Sequence, residues 1–378
     1  MSPDSQGTIL AINAGSSSVK FQLFACTPNL ELLAKGDVEN IGGSPQFSAK
    51  DERTQQQENK ALPSDCTDEG ALQIILDWIH ADGMDLHVLA AVHRIVHGGA
   101  VFGKSVLATP AVIEQMRELI PLAPLHQAHN LNAIEIMGRI KPGLAQIACF
   151  DTAFHFDHGP LFTQYALPKR VRDQGVRRYG FHGLSYEWIA HRLRQDDPAL
   201  AEGRVIAAHL GSGASVCGMY KGVSIDSSMG MTALEGLLMG TRCGNLDPGA
   251  LIYMIRDLGI SAEEAEKVLY HESGLLGLSG WTNDVKLLEA SDNPDAQFAL
   301  DFFSLRAAQF MAKMAVALGG VDGIVFTGGI GEHSAFVRNK ILSRLEFMKP
   351  FKVLVIPANE ERIMAMHAAA LLQTNEGS

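Results

Sequence analysis

Apolar runs and small-residue turns alternate along this chain in a pattern that returns. TILAINAGSSSVKFQLF, at residues 8–24, sets two apolar stretches on either side of AGSSS, which predicts strand, tight turn, strand. RVIAAHLGSGASVCGMY, at 204–220, repeats that shape. A third apolar run, in VDGIVFTGGIGE at 321–332, leads into glycines and then into a helix expected through FVRNKILSRL. Glycine turns are common one at a time. Two matching hairpins far apart in the chain point to a duplicated β-rich unit, one copy in each of two domains.

Helices fill the intervals. Thr109 with Pro110 and Asp247 with Pro248 are cap and first-turn pairs for helices through VIEQMRELI and GALIYMIRDLG. After Asn293 and Pro294 the longest periodic stretch, AQFALDFFSLRAAQFMAKMAVAL, stops at Gly319 and Gly320, and its Phe, Leu and Met residues are expected to pack as core. Residues 45–70, with DERTQQQENK, are polar and poorly patterned, and are expected to form a solvent-exposed arm or mobile loop.

The 378 residues exceed what one hydrophobic core ordinarily organises, so two domains are expected. With 42 acidic against 31 basic residues the formal charge is −11, which disfavours nucleic-acid and anionic-membrane surfaces. A bound anion would need a few cations gathered locally. The start, MSPDSQG, lacks the basic region of a signal peptide, no apolar run is long enough to span a bilayer, and a cytoplasmic protein is expected. Five cysteines without a CxxC pair argue against a disulfide framework and a thiolate zinc site; Cys243 lies in a loop of interest.

Three small-residue turns at strand ends suit a phosphate chain, because backbone N–H groups approach phosphate oxygens only where side chains are short. None fits the GxxxxGK[ST] pattern. AGSSSVK offers hydroxyls at Ser16, Ser17 and Ser18 plus Lys20, although by itself it reads first as an ordinary hairpin turn rich in small residues. Arg94, Asp151, Arg242 and Glu360 are isolated charges in apolar or glycine-rich settings, to be paired in structure or used on an anion and a metal. The pairs His93/His97, His126/His129 and His155/His158 lack the HExxH context of zinc. His126 and His182 are better placed as donors to phosphoryl oxygens or as core histidines.

INAGSSSVKFQLF, HRIVHGG, LAPLH, FDTAFH, RRYGFHG, HLGSGASV, DSSMGMTALEGLLMGTR, ESGLLGLSG, FTGGIGEHSAFVR and VIPANEE occur in that order, and in this series the chain resembles the acetate kinase family from about residue 8 to 365. The resemblance implies a two-domain, duplicated actin-like ATPase (ribonuclease H-like) α/β fold with an interdomain nucleotide cleft. The first domain would span 1–151 plus 362–378, with the C-terminal helix returning to it, and the nucleotide-binding domain 152–361. The implied reaction moves a phosphoryl group between ATP and a short-chain carboxylate with Mg²⁺ (or Mn²⁺), in a homodimer.

Carried over motif by motif, the resemblance makes Asp151, Arg242, His182, His126 and Arg94 catalytic. Arg94, Val96, Leu125, Phe181 and Ala233 would bind the acceptor, and Asn13 and Glu360, with Asp151 directly or through water, would serve the metal. Asn13, Ser16, Ser18, Lys20, His209, Gly211, Ser212, Gly213, Asp284, Val285, Lys286, Gly329, Ile330 and Gly331 would hold the nucleotide. The chain departs from the family pattern at Ser212 (asparagine), Leu184 and Tyr186 (threonine and histidine of FHGTSH), Gln127 to His129 (asparagine and prolines), Lys286 (arginine) and Ala233 (proline). The last change should enlarge the acceptor pocket and admit propionate beside acetate.

Overall fold

The computed structural model describes residues 7–81 and 87–376. It divides into two units, one of residues up to Ala153 together with those from Asn359 onward, the other Phe154–Ala358.

The first unit holds an eight-stranded sheet ordered β5-β4-β3-β2-β1-β6-β8-β7. Its strands are β1 (Thr8–Ala14), β2 (Val19–Ala25), β3 (Leu32–Glu39), β4 (Gln46–Asp51), β5 (Gln57–Ala61), β6 (Val88–Ile95), β7 (Val106–Leu107) and β8 (Ala145–Phe150). β1 pairs antiparallel with β2 and parallel with β6, and β8 lies parallel beside β6. A central strand covered on both faces must be apolar throughout, which explains TILAINA. Leu10, Ile12 and Ala14 pack in one core with Leu72, Ile75 and Leu76 of the helix Asp68–Ile79 and Ala133, Ile136 and Met137 of the helix Pro124–Ile140. Ile9, Ala11 and Asn13 take the opposite face by alternation, and the helix Glu360–Glu376 packs on that side of β1.

The second unit holds β9 (Arg204–Leu210), β10 (Ala214–Tyr220), β11 (Val223–Ser227), β12 (Gly323–Thr327) and β13 (Lys352–Val355) in the order β11-β10-β9-β12-β13. β9 and β10 form the second hairpin, and β12 and β13 run parallel to β9. Without its outer strands β4, β5 and β7, the first sheet has the same connectivity, β3-β2-β1-β6-β8. The two hairpins are therefore corresponding parts of one repeated topology.

Three sequence expectations change. Residues 45–70 form no arm: β4 and β5 are a hairpin that extends the first sheet, followed by a helix capped by Thr67. β5 is polar because it is an edge strand exposed at every residue, so it shows no two-residue alternation, and charge on an edge discourages pairing with another chain. The glycines after β12 are helical: Gly328–His333 forms a short helix before Ala335–Ser343. In the helix Pro294–Leu318, Phe303, Phe310, Met311 and Met314 are buried, whereas Phe298 and Leu305 are exposed. Its start and stop are as expected, with Asn293 Oδ1 accepting from Asp295 N at 2.9 Å and Gly319 at φ 69°. All five cysteines are free thiols. No helix among the described residues is long and apolar enough to cross a membrane.

Candidate active site

In open α/β sheets ligands gather beyond the carboxyl ends of the parallel strands. In the first unit those ends carry Asn13 on β1, Arg94 on β6 and Asp151 just after β8. Arg94 donates from Nε and Nη2 to both carboxylate oxygens of Asp151, at 2.8 to 3.1 Å. Burial disfavours the Arg94 cation, but Asp151 beside it, then the charges of Glu360 and Glu361, outweigh this and hold its pKa above the ordinary arginine value. The pair engages Nε and Nη2, leaving Nη1 outside it.

The strand segment that bears Arg94 is anchored by residues that no motif singled out. Val96 N donates to Asn130 Oδ1 (3.1 Å), and His97 N donates to Gln127 Oε1 (3.1 Å), while Gln127 Nε2 returns a bond to His97 O (3.0 Å). Gln127, a departure from the family pattern, is thus a fully buried clamp for HRIVHGG. Gly98 must lack a side chain: a Cβ there would lie 2.7 Å from Phe102 O, and its N–H donates to Thr152 Oγ1. His126 stands in the first turn of the helix Pro124–Ile140, half-buried; the side chain of Leu125 lies outside the described residues.

Asn13 and Lys20 are cross-strand partners on β1 and β2, joined by a turn in which Gly15 N donates to Ser18 O at 2.8 Å. Ser16 is exposed and Ser18 half-buried. Gln22, the partner of Ala11, donates to Glu361 Oε2 at 3.4 Å, so these side chains share the face covered by the helix that begins at Glu360. Burial, then the neighbouring Glu360 charge, pushes the Glu361 carboxyl above its usual value, with Arg94 and Lys20 opposing. Lys20, Arg94, Asp151, Glu360 and Glu361 are therefore one charged group at one end of the first sheet, with Asn13 the cross-strand partner of Lys20. Glu361 stands beside Glu360 in VIPANEE, and only the fold shows that it belongs.

In the second unit the corresponding strand ends carry Gly211–Gly213 after β9 and Gly328–Gly331 after β12. His182 caps the helix Gly183–Asp196 in a left-handed conformation (φ 57°), and its ring lies against that of His209, tilted by 32° with centroids 4.4 Å apart. Nδ1 of His182 lies 2.8 Å from Ser215 Oγ, and Nδ1 of His209 lies 2.8 Å from Ser185 Oγ. A Cβ built on Gly213 would stand 3.3 Å from His182 Nε2 and 3.9 Å from Arg242 Nη1, so both groups converge on this glycine. Gly213→Ala is expected to fold normally yet lose at least about tenfold in kcat, because small misplacements in such a site are costly. Steady-state kinetics beside a thermal melt check this.

Arg242 is largely buried, donates from Nη1 to Ala233 O (3.1 Å) and forms no ion pair among the described residues. Burial pulls its pKa below the ordinary value, with only a small opposing effect from Tyr270. A buried cation without a carboxylate partner is prepared for an anion. The loop that bears it is tied down where Gly240 N donates to Ser212 O (3.0 Å) and Ser273 N donates to Thr241 O (2.9 Å). Phe181 is buried, and its carbonyl accepts from His155 Nε2. Asp284 caps the helix Val285–Glu289 through Lys286 N (2.9 Å). Gly329 and Ile330 lie in the helix Gly328–His333, where a Cβ on Gly329 would meet nothing within 4 Å.

Residues 8–353 match the sequence model described as Acetokinase family. The chain belongs to the acetokinase family. An acetate kinase of Rhodopseudomonas palustris is 45% identical over 344 residues, 90% of this chain and 86% of that protein. Two crystal structures share the fold: acetate kinase of Porphyromonas gingivalis (34% identity, TM-score 0.87, 97% of this chain and 100% of that one) and a propionate kinase of Francisella tularensis subsp. tularensis (34%, 0.90, 96% and 98%). The two-domain actin-like ATPase architecture expected from sequence is thereby the fold of this acetokinase.

Proposed function

We propose that this chain is a carboxylate kinase that converts ATP and acetate to ADP and acetyl phosphate, reversibly and by direct in-line transfer. The observation that carries the reading beyond family membership is Arg242, a buried cation without an ion pair among the described residues that converges with His182 on Gly213. A carboxylate acceptor, with a pKa near about 4.3, is ionised at neutral pH and needs no general base. Catalysis is then positioning and charge neutralisation, since the loose transition state spreads charge over the transferring oxygens.

In this reading Arg94 holds the acceptor carboxylate, with Asp151 keeping the guanidinium oriented. Arg242, His182 and His126 donate to the transferring phosphoryl group. Asn13, Ser16, Ser18 and Lys20 line the phosphate end from the first unit, and Gly211, Ser212 and Gly213 with His209 from the second. Gly329, Ile330 and Gly331 flank the adenosine opposite Asp284, Val285 and Lys286. Asn13 and Glu360 offer the hard oxygen donors that Mg²⁺ or Mn²⁺ takes, and the raised Glu361 carboxyl beside Glu360 marks negative charge that a cation would balance. When bound, the ion neutralises phosphate charge. The same reading makes the working species a cytoplasmic homodimer, with the family resemblance as its support.

The propionate kinase neighbour favours a second acceptor. Ala233, whose carbonyl accepts from Arg242, stands where the family pattern has proline, and in this reading the missing ring atoms would leave more room for the acceptor. A methylene in such a pocket is worth roughly 1 to 3 kcal/mol. Purified protein with Mg·ATP is expected to form acyl hydroxamate from both acids, with kcat/KM values within about a hundredfold of each other. Acetate preferred by more than that would remove the propionate reading, and no hydroxamate from either acid would remove the kinase reading.

A further inference from the structure

Behind the His182 ring the second unit holds a buried polar chain that phosphoryl transfer by itself does not explain. Ser215 Oγ lies 2.8 Å from His182 Nδ1 and also bonds the hydroxyl of Tyr186, one helical turn beyond His182. Tyr186 and Ser215 are both fully buried. Burial, with a smaller push from the Cys217 thiol, keeps the Tyr186 hydroxyl protonated well above the ordinary tyrosine range. It therefore carries a hydrogen that needs an acceptor.

Three arrangements are conceivable, because the Ser215 hydroxyl has one hydrogen and two lone pairs. They are a relay from His182 to Tyr186, a relay from Tyr186 to His182, and both neighbours donating to Ser215, which leaves the Ser215 hydrogen without an acceptor among the described residues. If His182 Nδ1–H donated to Ser215 and Ser215 to Tyr186, the tyrosine hydrogen would be buried without an acceptor. In the relay from Tyr186 every hydrogen of the chain has an acceptor: Tyr186 donates to Ser215, and Ser215 to His182 Nδ1. That direction leaves the ring proton on Nε2.

We propose that Tyr186, acting through Ser215, is a positioning residue that fixes the tautomer of His182 with its proton on Nε2, the atom nearest Gly213. The proposal rests on the kinase reading for its purpose: an Nε2–H and the Arg242 Nη1–H, both aimed beside Gly213, meet a phosphoryl oxygen with two donors and no lone pair. His209 completes the arrangement. Its ring, held by Ser185 at 2.8 Å, packs against His182 at a 32° tilt and limits its rotation, while Tyr186 sets the proton. The FHGTSH pattern has histidine at this position, which can pass a proton either way. A buried tyrosine hydroxyl must place its hydrogen, and Ser215 is the acceptor it has among the described residues.

The test uses the full chain with ¹⁵N-labelled histidine, His182 being assigned by comparison with His182→Gln. Long-range ¹H–¹⁵N correlations should show His182 protonated on Nε2 and bare on Nδ1. Tyr186→Phe should give a mixture of tautomers and lower kcat about tenfold, with KM for ATP within about twofold. Ser215→Ala should do the same or more, and the double variant should cost no more than Ser215→Ala alone, because both act through one path. A wild-type His182 protonated on Nδ1, or a Tyr186→Phe enzyme with unchanged His182 signals and full kcat, would overturn the proposal. The nitrogen assignment requires no turnover. Wild-type protein inactive on every carboxylate would sink the kinase reading, and the tautomer would still be decided.

Discussion

Arg242→Ala is expected to lower kcat by about 10³ to 10⁵, the range for an arginine that meets transition-state charge in phosphoryl transfer. The structure explains why the loss should fall on turnover and not on folding. Nη1 bonds the Ala233 carbonyl and the Met239 sulfur, and among the described residues no carboxylate would be left unpaired when the guanidinium is removed. The loop is held independently through Gly240, Ser212 and Ser273. Removing a buried, unpaired cation relieves a desolvation cost, so the melting temperature should stay the same or rise slightly. The hydroxamate assay and a thermal melt of the same preparation check both halves. Equal activity in the two proteins would take Arg242 out of the mechanism.

Asp151→Ala should show the opposite balance. Asp151 is almost fully buried and meets Arg94 with both oxygens, so its loss leaves a buried guanidinium without the carboxylate it is hydrogen-bonded to. Breaking such a pair from one side costs about 3 to 5 kcal/mol, and urea unfolding should report a loss of that order. Catalysis should also suffer, chiefly as a higher KM for the carboxylate, because a guanidinium freed from its fork no longer presents Nη1 in one direction. Replacing both partners, Arg94→Leu with Asp151→Leu, should recover much of the stability and none of the activity. A single Asp151→Ala variant with wild-type stability would mean that the pair is a solvated contact, contrary to its burial.

These expectations trace to different levels of legibility. The duplicated hairpins were visible in TILAINAGSSSVKFQLF and RVIAAHLGSGASVCGMY because a tight turn between apolar strands is local chemistry. Helix limits at Asn293 and Gly319 were visible for the same reason, since caps and left-handed stops act within a few residues. The β4–β5 hairpin was not. Edge strands exposed on both faces lack the alternation that marks a strand, and their pairing depends on β3 being present to extend.

The site divides in the same way. Arg94, Asp151 and Arg242 stood out as charges in apolar settings, because the cost of desolvation applies whatever the partner. What each charge does was undecided: Asp151 faces Arg94 across parallel strands, while Arg242 is left without a carboxylate. Gln127 and Tyr186 were visible only as departures from a pattern. Their roles, a clamp on His97 and a hydrogen bond behind His182, depend on partners 30 and 29 residues away, joined by strand order alone. The sequence by itself determined the repeated fold, the family and the kinds of charge available for the chemistry. Tertiary structure decided which charges are paired and which are left for an anion, and toward which atom of His182 the hydrogen bonds run. Spacing along a chain carries periodicity within one element, whereas those contacts arise only when separate strands and helices meet.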